Sequence, residues 1–333
     1  PILYSQDSCM NDSLYSTIYC DDLEIYENVA TSAANWLNIE TGTTAIGMAG
    51  AHTSAGHGIS STPYNPANLS SMDKNELFFS KSYYLVGISH NVLGYSRRLS
   101  KADVIGLHLF YLSSGDIEET TYLYPRGTDK MFSVQNYSFS FIYSRQISKT
   151  FQAGVSLKYI REEIASTFMH SVATDIGLKF SIPRFVRFGL SLNHIGPQVQ
   201  FQGPGLDIFV DPDVDISGAV GKSVEQFKLP FTVRFGTASD ILGKQGIVKS
   251  KSHKLTMALD IVKSNDYWLT GSTGIEYSWR RFAFVRSGIH FNHDTALQTL
   301  GAGLEWKRFA INYAFVNYQI LDVTHQFGLS YSF

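Results

Sequence analysis

No stretch of ~18 or more consecutive apolar residues occurs anywhere in the sequence, which excludes a transmembrane helix. Charge is scarce too: Asp, Glu, Lys and Arg make up 17 % of the chain, against the ~25 % typical of soluble domains. The formal net charge of -2 gives no global electrostatic case for nucleic acid or for an acidic partner. Cysteine is limited to Cys9 and Cys20, both in the N-terminal tail. A disulfide between them suits an oxidising periplasm or cell surface; the alternative is two unpaired thiols. The opening residues, Pro1-Ile2-Leu3-Tyr4, lack the basic and apolar regions of a signal peptide, as expected of a secreted chain that has already lost one.

Catalytic and cofactor signals are missing as well. No Ser-His-Asp or Cys-His set stands out, so no enzyme and no catalytic residue are read from the sequence. Gly47, Gly50, Gly56 and Gly58 resemble a phosphate cradle, but no Gly-Lys-Ser/Thr follows them. His52 and His57 have no cysteine or carboxylate at ligand spacing, so they read as ordinary polar residues and no metal or cofactor is expected.

What the chain does have is aromatic residues (14 %, with 23 Phe and 19 Tyr), 27 Gly and a period of two. From about residue 77 onward, apolar residues alternate with small or polar ones, as half-exposed strands require. In the last segment Val323, His325, Phe327, Leu329, Tyr331 and Phe333 share one face, while Thr324, Gln326, Gly328, Ser330 and Ser332 share the other. Leu300, Ala302, Leu304 and Trp306 likewise oppose Gly301, Gly303 and Glu305, and Met257, Leu259 and Ile261 oppose Ala258 and Asp260.

A soluble sandwich alternates too, but two features favour a bilayer. The apolar set persists over ~9–11 residues in segment after segment, the length of a tilted transmembrane strand. Aromatics such as Trp279, Phe282, Trp306 and Phe309 gather at segment ends, where interfacial girdles lie. The expected fold is therefore an all-β, closed antiparallel transmembrane barrel of about 14 strands, preceded by a tail (1–35) and a luminal plug segment (36–75) and occupying 76–333.

Connections at Ser100-Lys101-Ala102, Ser148-Lys149-Thr150, Pro183-Arg184, Arg280-Arg281 and Lys307-Arg308 are tight and basic, whereas 113–134 and 196–228 are long. Tight turns on the periplasmic side place both termini there, in a bacterial outer membrane. The stretch 240–253 is the misfit: either a periplasmic excursion or a sign that the strand count is off by one. Phe327, Leu329, Tyr331 and Phe333 form the terminal signal expected to engage the barrel-assembly machinery during insertion.

With the apolar face on lipid, Lys158, Asp175, Lys179, Arg187, Arg234, Asp260, Glu276, Arg286, His290 and Glu305 point into the lumen. Unpaired charge in a dry interior costs several kcal/mol. So many charges of mixed sign imply a hydrated or salt-bridged interior rather than a grease-lined tunnel. They either pair with one another and with the N-terminal segment, or line a path for a polar or charged substrate.

The most distinctive stretch holds Leu37-Asn-Ile with Gly42, then Gly47-Met48-Ala49-Gly50-Ala51, then Tyr64-Asn65-Pro66-Ala67-Asn68-Leu69. Later come Ala258-Leu-Asp-Ile-Val262, Gly274-Ile-Glu-Tyr277, Val285-Arg286-Ser-Gly288 and Leu300-Gly-Ala-Gly-Leu304. In this order the segments resemble the PorV/PorQ-type outer-membrane proteins of the FadL-like barrel superfamily, over roughly 36–112 and 230–333. The sequence departs from that pattern at Ala49-Gly50, where two glycines are usual, and at His57 and Ser60, where acidic residues are frequent. The resemblance implies a fourteen-stranded barrel with the N-terminal segment in its lumen and the Asn65-Pro66-Ala67 turn leading to the first strand. It further implies protein secretion or surface attachment of type IX kind, with a cargo or partner protein bound at the outer loops 113–134 and 203–228. Gln200-Phe201 and Leu206-Asp-Ile-Phe-Val210 are candidate edges for strand addition there. The alternative is passive transport of small hydrophobic molecules, as FadL-like members perform.

Overall fold

The computed structural model describes residues 31–182, 186–208, 220–221 and 224–333. Cys9 and Cys20, the turn at Pro183-Arg184 and part of the 206–210 stretch lie outside them. Fourteen long strands form the wall: β1 (Glu76–Tyr83), β2 (Ser89–Arg98), β3 (Asp103–Ser113), β4 (Val134–Gln146), β5 (Phe151–Ile164), β6 (Thr167–Ser181) and β7 (Val186–Ile195), then β8 (Thr232–Gly243), β9 (His253–Ser264), β10 (Leu269–Trp279), β11 (Ala283–Phe291), β12 (Gln298–Trp306), β13 (Phe309–Asn317) and β14 (Val323–Ser332). Each pairs antiparallel with its sequence neighbour, including β7 with β8 across the longest connection. β1 also pairs with β14, from Glu76↔Ser332 to Tyr83↔His325, which closes the sheet into a barrel. Closure leaves no row of unpaired backbone groups facing lipid.

The pleat sorts the side chains as the alternation requires. Leu93, Leu107, Phe141, Leu157, Ile176, Phe235, Ile275, Leu300 and Ile311 face outward and are exposed, while Ser96, Ser144, Asp175, Asp260 and Thr299 point inward and are buried. An exposed apolar band around the whole circumference, with a polar interior, is a lipid-facing surface.

The 240–253 stretch joins β8 to β9 at the same end as the tight turns, so the parity of the strands holds with fourteen. Part of that connection, Val248–Lys249, adds a two-residue strand parallel to the end of β8.

The interior is not uniformly polar: Phe78, Val92, Val104, Phe110, Leu112, Ile142, Ile160 and Met169 point inward from β1–β6 and pack in one buried apolar cluster. These strands carry apolar residues on both faces, as in Ile105-Gly-Leu-His-Leu-Phe-Tyr-Leu112, so the lipid-facing set masks the inner one. Apolar packing thus lies under β1–β6 and the buried charges under β5–β11, the two overlapping at β5 and β6.

The outward face sets a direct test. Leu259 lies mid-strand in β9 and is 43 % exposed; Leu259→Arg is expected to cost about 2–4 kcal/mol in reversible unfolding from lipid vesicles. A change below ~0.5 kcal/mol at this mid-strand position would mean that Leu259 does not meet hydrocarbon.

Candidate functional site

Residues 32–72 pack against inward-facing residues of the wall. Ser32 bridges to Lys228, the Ala33 amide donates to the Lys228 carbonyl at 2.9 Å, and Glu162 of β5 accepts from the Ala34 amide and the Trp36 indole at 3.0 and 3.2 Å. The segment has little regular structure of its own: one helical turn at Thr43–Ile46 and short 3-10 turns, the longest at Pro66–Ser71. Asn65 caps that last turn by accepting from the Ala67 amide at 3.0 Å, with Pro66 at the first position, where its missing N–H costs nothing.

A segment without a ladder must satisfy its backbone elsewhere, and the inward-facing side chains of the wall do this. Asp260 accepts from the His52 and Thr53 amides at 2.9 and 2.8 Å, and Thr299 accepts from the Ala49 amide at 3.0 Å. Lys179 donates to the Gly56 carbonyl at 2.7 Å and to Asn68 at 3.0 Å. Asn65 donates both to Thr53 within the segment (2.9 Å) and to the Leu178 carbonyl of β6 (3.0 Å). Arg286 pairs with Glu276 at 2.7 Å and donates to Asn312 at 2.9 Å. Arg187 forms a bidentate pair with Asp240 at 3.0 and 3.1 Å, and Arg234 lies over the Tyr64 ring at 5.3 Å. Lys158 and Asp175 pair at 2.8 Å, both nearly fully buried. Glu305 is half-buried near the turn end, and His290 faces Glu40 at 3.9 Å.

The signature residues meet the wall where it has no side chains. A Cβ on Gly274 or Gly288 would fall about 2.5 and 2.4 Å from Met48 backbone, and one on Gly154 about 2.4 Å from the Pro66 carbonyl carbon. Gly47 packs against Gly301 and Arg286. Gly50 has φ +68° and lies beside the Glu40 carboxylate, so a side chain there meets both strain and a clash. These inward strand glycines trace the course of the segment along the wall, a signal visible in the sequence as Gly274, Gly288, Gly301 and Gly303 at the inward parity of β10–β12. On the segment itself, burial lifts Glu40 to about 7 despite the opposing pull of Arg234 and His293, so this carboxyl is part protonated near neutrality. Burial likewise pushes His52 well below its usual range, leaving a neutral imidazole. Among the described residues no cluster of three or more His, Cys, Asp or Glu is placed to hold a metal.

Between the segment and β3–β7 lies a cavity of about 40 Å3. Trp36, Leu37, Ile39, Phe110 and Ile142 supply its apolar lining, and Lys158, Asp175, His108 and His194 its polar lining. Trp36 stacks on Phe110 with centroids 5.5 Å apart. Sequence reasoning missed Phe110, His108 and His194. An empty apolar cavity that takes benzene measures roughly 150 Å3. The cavity as it stands holds a few waters and no aromatic ring.

At the loop end, 114–133 folds on itself through Ile117–Glu118 and Met131–Phe132 and exposes Tyr122, Leu123 and Tyr124. Gln200-Phe201 is not a free edge, because Val199 pairs with Phe227 and Gln202 with Phe168. Phe327, Leu329 and Phe333 are exposed on the outer face of β14, with Tyr331 half-buried against Phe309 at 4.8 Å.

No protein-family profile and no curated protein sequence matches the chain. Among solved structures, the fold is shared with hydrocarbon channels and toluene transporters. It is similar to CymD, a monoaromatic hydrocarbon channel, with a TM-score of 0.58 at 13 % identity, covering 89 % of this chain and 98 % of that one. The toluene transporter TbuX of Ralstonia pickettii matches with a TM-score of 0.57 at 13 % identity, over 89 % and 99 %. A Pseudomonas aeruginosa FadL homologue matches with a TM-score of 0.56 at 12 % identity, over 88 % and 98 %. At such identities the likeness is one of fold.

Asp260→Ala leaves two buried amides without their acceptor, at about 1–3 kcal/mol each. Hydrogen exchange at His52 and Thr53 is expected to accelerate at least ~10-fold while the strands stay protected. Unchanged exchange at both amides would show that Asp260 does not hold the segment.

Proposed function

We propose that this chain is an outer-membrane conduit for small hydrophobic molecules, passive and non-enzymatic, in which the apolar side of the lumen offers the binding surface. The observation that carries the reading is the Trp36–Phe110 stack beside Leu37, Ile39 and Ile142, an aromatic and aliphatic wall inside an otherwise charged tube. Ligand sites are mostly apolar walls with a few convergent polar groups, and here Lys158, His108 and His194 supply the polar side. The fold's likeness to structures titled as a hydrocarbon channel and a toluene transporter supports the same reading. Because the cavity is smaller than an aromatic ring, entry requires the 36–41 stretch to move away from β3.

The PorV/PorQ-type secretion role is the second reading. It draws on the exposed Tyr122-Leu123-Tyr124 tip, a protruding apolar surface at the loop end of the kind that protein partners cover.

Uptake of labelled toluene into vesicles bearing the full chain separates the two. Toluene entry is expected to exceed that of protein-free vesicles and to quench Trp36. Phe110→Ala removes one ring of the stack, worth about 1 kcal/mol, and is expected to weaken toluene binding about fivefold. Entry no faster than in bare vesicles, together with co-purification of an exported protein from native membranes, would replace transport by the secretion reading.

A further inference from the structure

The charges at the tight-turn end are distributed unlike those elsewhere. Every tight turn described there presents an exposed cation: Lys101, Lys149, the pair Arg280–Arg281 and the pair Lys307–Arg308. The 244–252 connection at the same end adds three more exposed lysines. Among the carboxylates nearby, Asp103 accepts from Ser100 and Tyr143 and faces Arg145, Asp240 is held by Arg187 and Thr256, Glu305 is half-buried and Asp73 is exposed. The exposed cations outnumber the exposed carboxylates and form a net positive collar, repeated from turn to turn around the rim.

Their depth is fixed by the rings beside them. Arg280 lies 5.3 Å over Trp279 and Lys307 4.7 Å over Trp306, and both indoles are exposed on the lipid-facing side. Phe282, Phe309 and Phe333 are exposed at the same end. Trp and Tyr sit at headgroup level in membrane proteins, so a cation on the rim side of such a ring lies among the phosphates. Arg280, Arg281 and Lys307 occupy the left-handed region, with φ of +52°, +55° and +58°. Asn-Gly or Gly would relieve that strain in a two-residue hairpin turn, yet long cationic side chains stand there instead.

We propose that this collar binds the phosphate headgroups of anionic phospholipids in the leaflet at the turn end, selecting phosphatidylglycerol-type lipids over zwitterionic ones. Basic residues near an anionic surface gain from each headgroup they meet, and the gain is screened by salt.

Tryptophan quenching by brominated-tail lipids measures this in the full chain. Trp268, at the opposite end, is first changed to Phe, and Trp36 lies inside the barrel, so Trp279 and Trp306 report. In mixed vesicles at low salt, brominated phosphatidylglycerol is expected to displace phosphatidylcholine with a relative binding constant of about three to ten. In Arg280→Asn, Arg281→Asn, Lys307→Asn, Arg308→Asn combined, that constant is expected to fall to about one; Asn is chosen because it accepts the left-handed backbone. Raising the salt to about 0.5 M is expected to do the same to the unsubstituted collar, which covers the case of a combined variant that fails to fold. A constant near one in the unsubstituted protein overturns the proposal. So does a preference that survives both the substitutions and the salt, and so does binding of an acidic soluble protein at the collar with no lipid preference.

Discussion

Backbone amides and carbonyls at bilayer depth have no water to turn to, and this constraint organises the whole molecule. The wall meets it by closing: β14 returns to β1 over eight residue pairs, so no strand edge faces lipid. The same constraint then applies inside, to a segment of some forty residues (32–72) without a ladder of its own. Its own tight turns meet many of its donors and acceptors, and side chains reaching in from the wall meet others, with Asp260, Thr299, Glu162 and Lys179 each replacing part of a missing strand.

That explains why charge is found in a place where it is expensive. A buried carboxylate is tolerated when hydrogen bonds or a counter-charge satisfy it. Asp260 takes two amides, and Asp175 takes both Lys158 and the His194 amide. The lumen charges are therefore not a free electrostatic lining for a polar solute. Asp260 and Lys179 fasten the internal segment, while Lys158–Asp175, Arg187–Asp240 and Arg286–Glu276 satisfy one another on the wall.

The wall was legible in the sequence because a period of two is a geometric property of strands, and lipid enforces it on every outward position. Leu300, Leu304 and Ile311 could be assigned to lipid without any structure. The charged half of the lumen followed from the same parity, since Asp260, Glu276 and Arg286 are the alternates of apolar neighbours. The apolar half did not. On β3, Phe110 and Leu112 point inward while Leu107 and Leu109 point outward, so both parities are greasy and the pattern carries no contrast. The cavity was invisible for a second reason. It depends on Trp36 meeting Phe110 across 74 positions of chain, a contact set by how the segment is fastened elsewhere. What did mark the path of the segment was the inward glycines of β10–β12, whose missing side chains leave room for Met48 and Gly47.

The two halves of the interior differ in how hard they hold the segment. From Ala49 to Asn68 it is tied by hydrogen bonds to Thr299, Asp260 and Lys179, the last two charge-assisted, each costly to break because the partner left behind is buried. Around Leu37 and Ile39 the contacts to the wall are apolar and non-directional, so a shift of a few ångströms trades one set of van der Waals contacts for another. The polar anchors there are Glu162, at the very start of the segment on Ala34 and Trp36, and the Thr232 hydroxyl, which donates to Asn38 at 3.2 Å. Displacement of 36–41 from β3 thus breaks few directional bonds, whereas displacement of 49–56 from β9 strands two amides and a carboxylate. A guest that is itself apolar restores what the shift removes, because its surface replaces Leu37 and Ile39 against Phe110 and Ile142. A charged guest restores nothing there, and at the opposite wall it would have to compete with fastenings that are already satisfied.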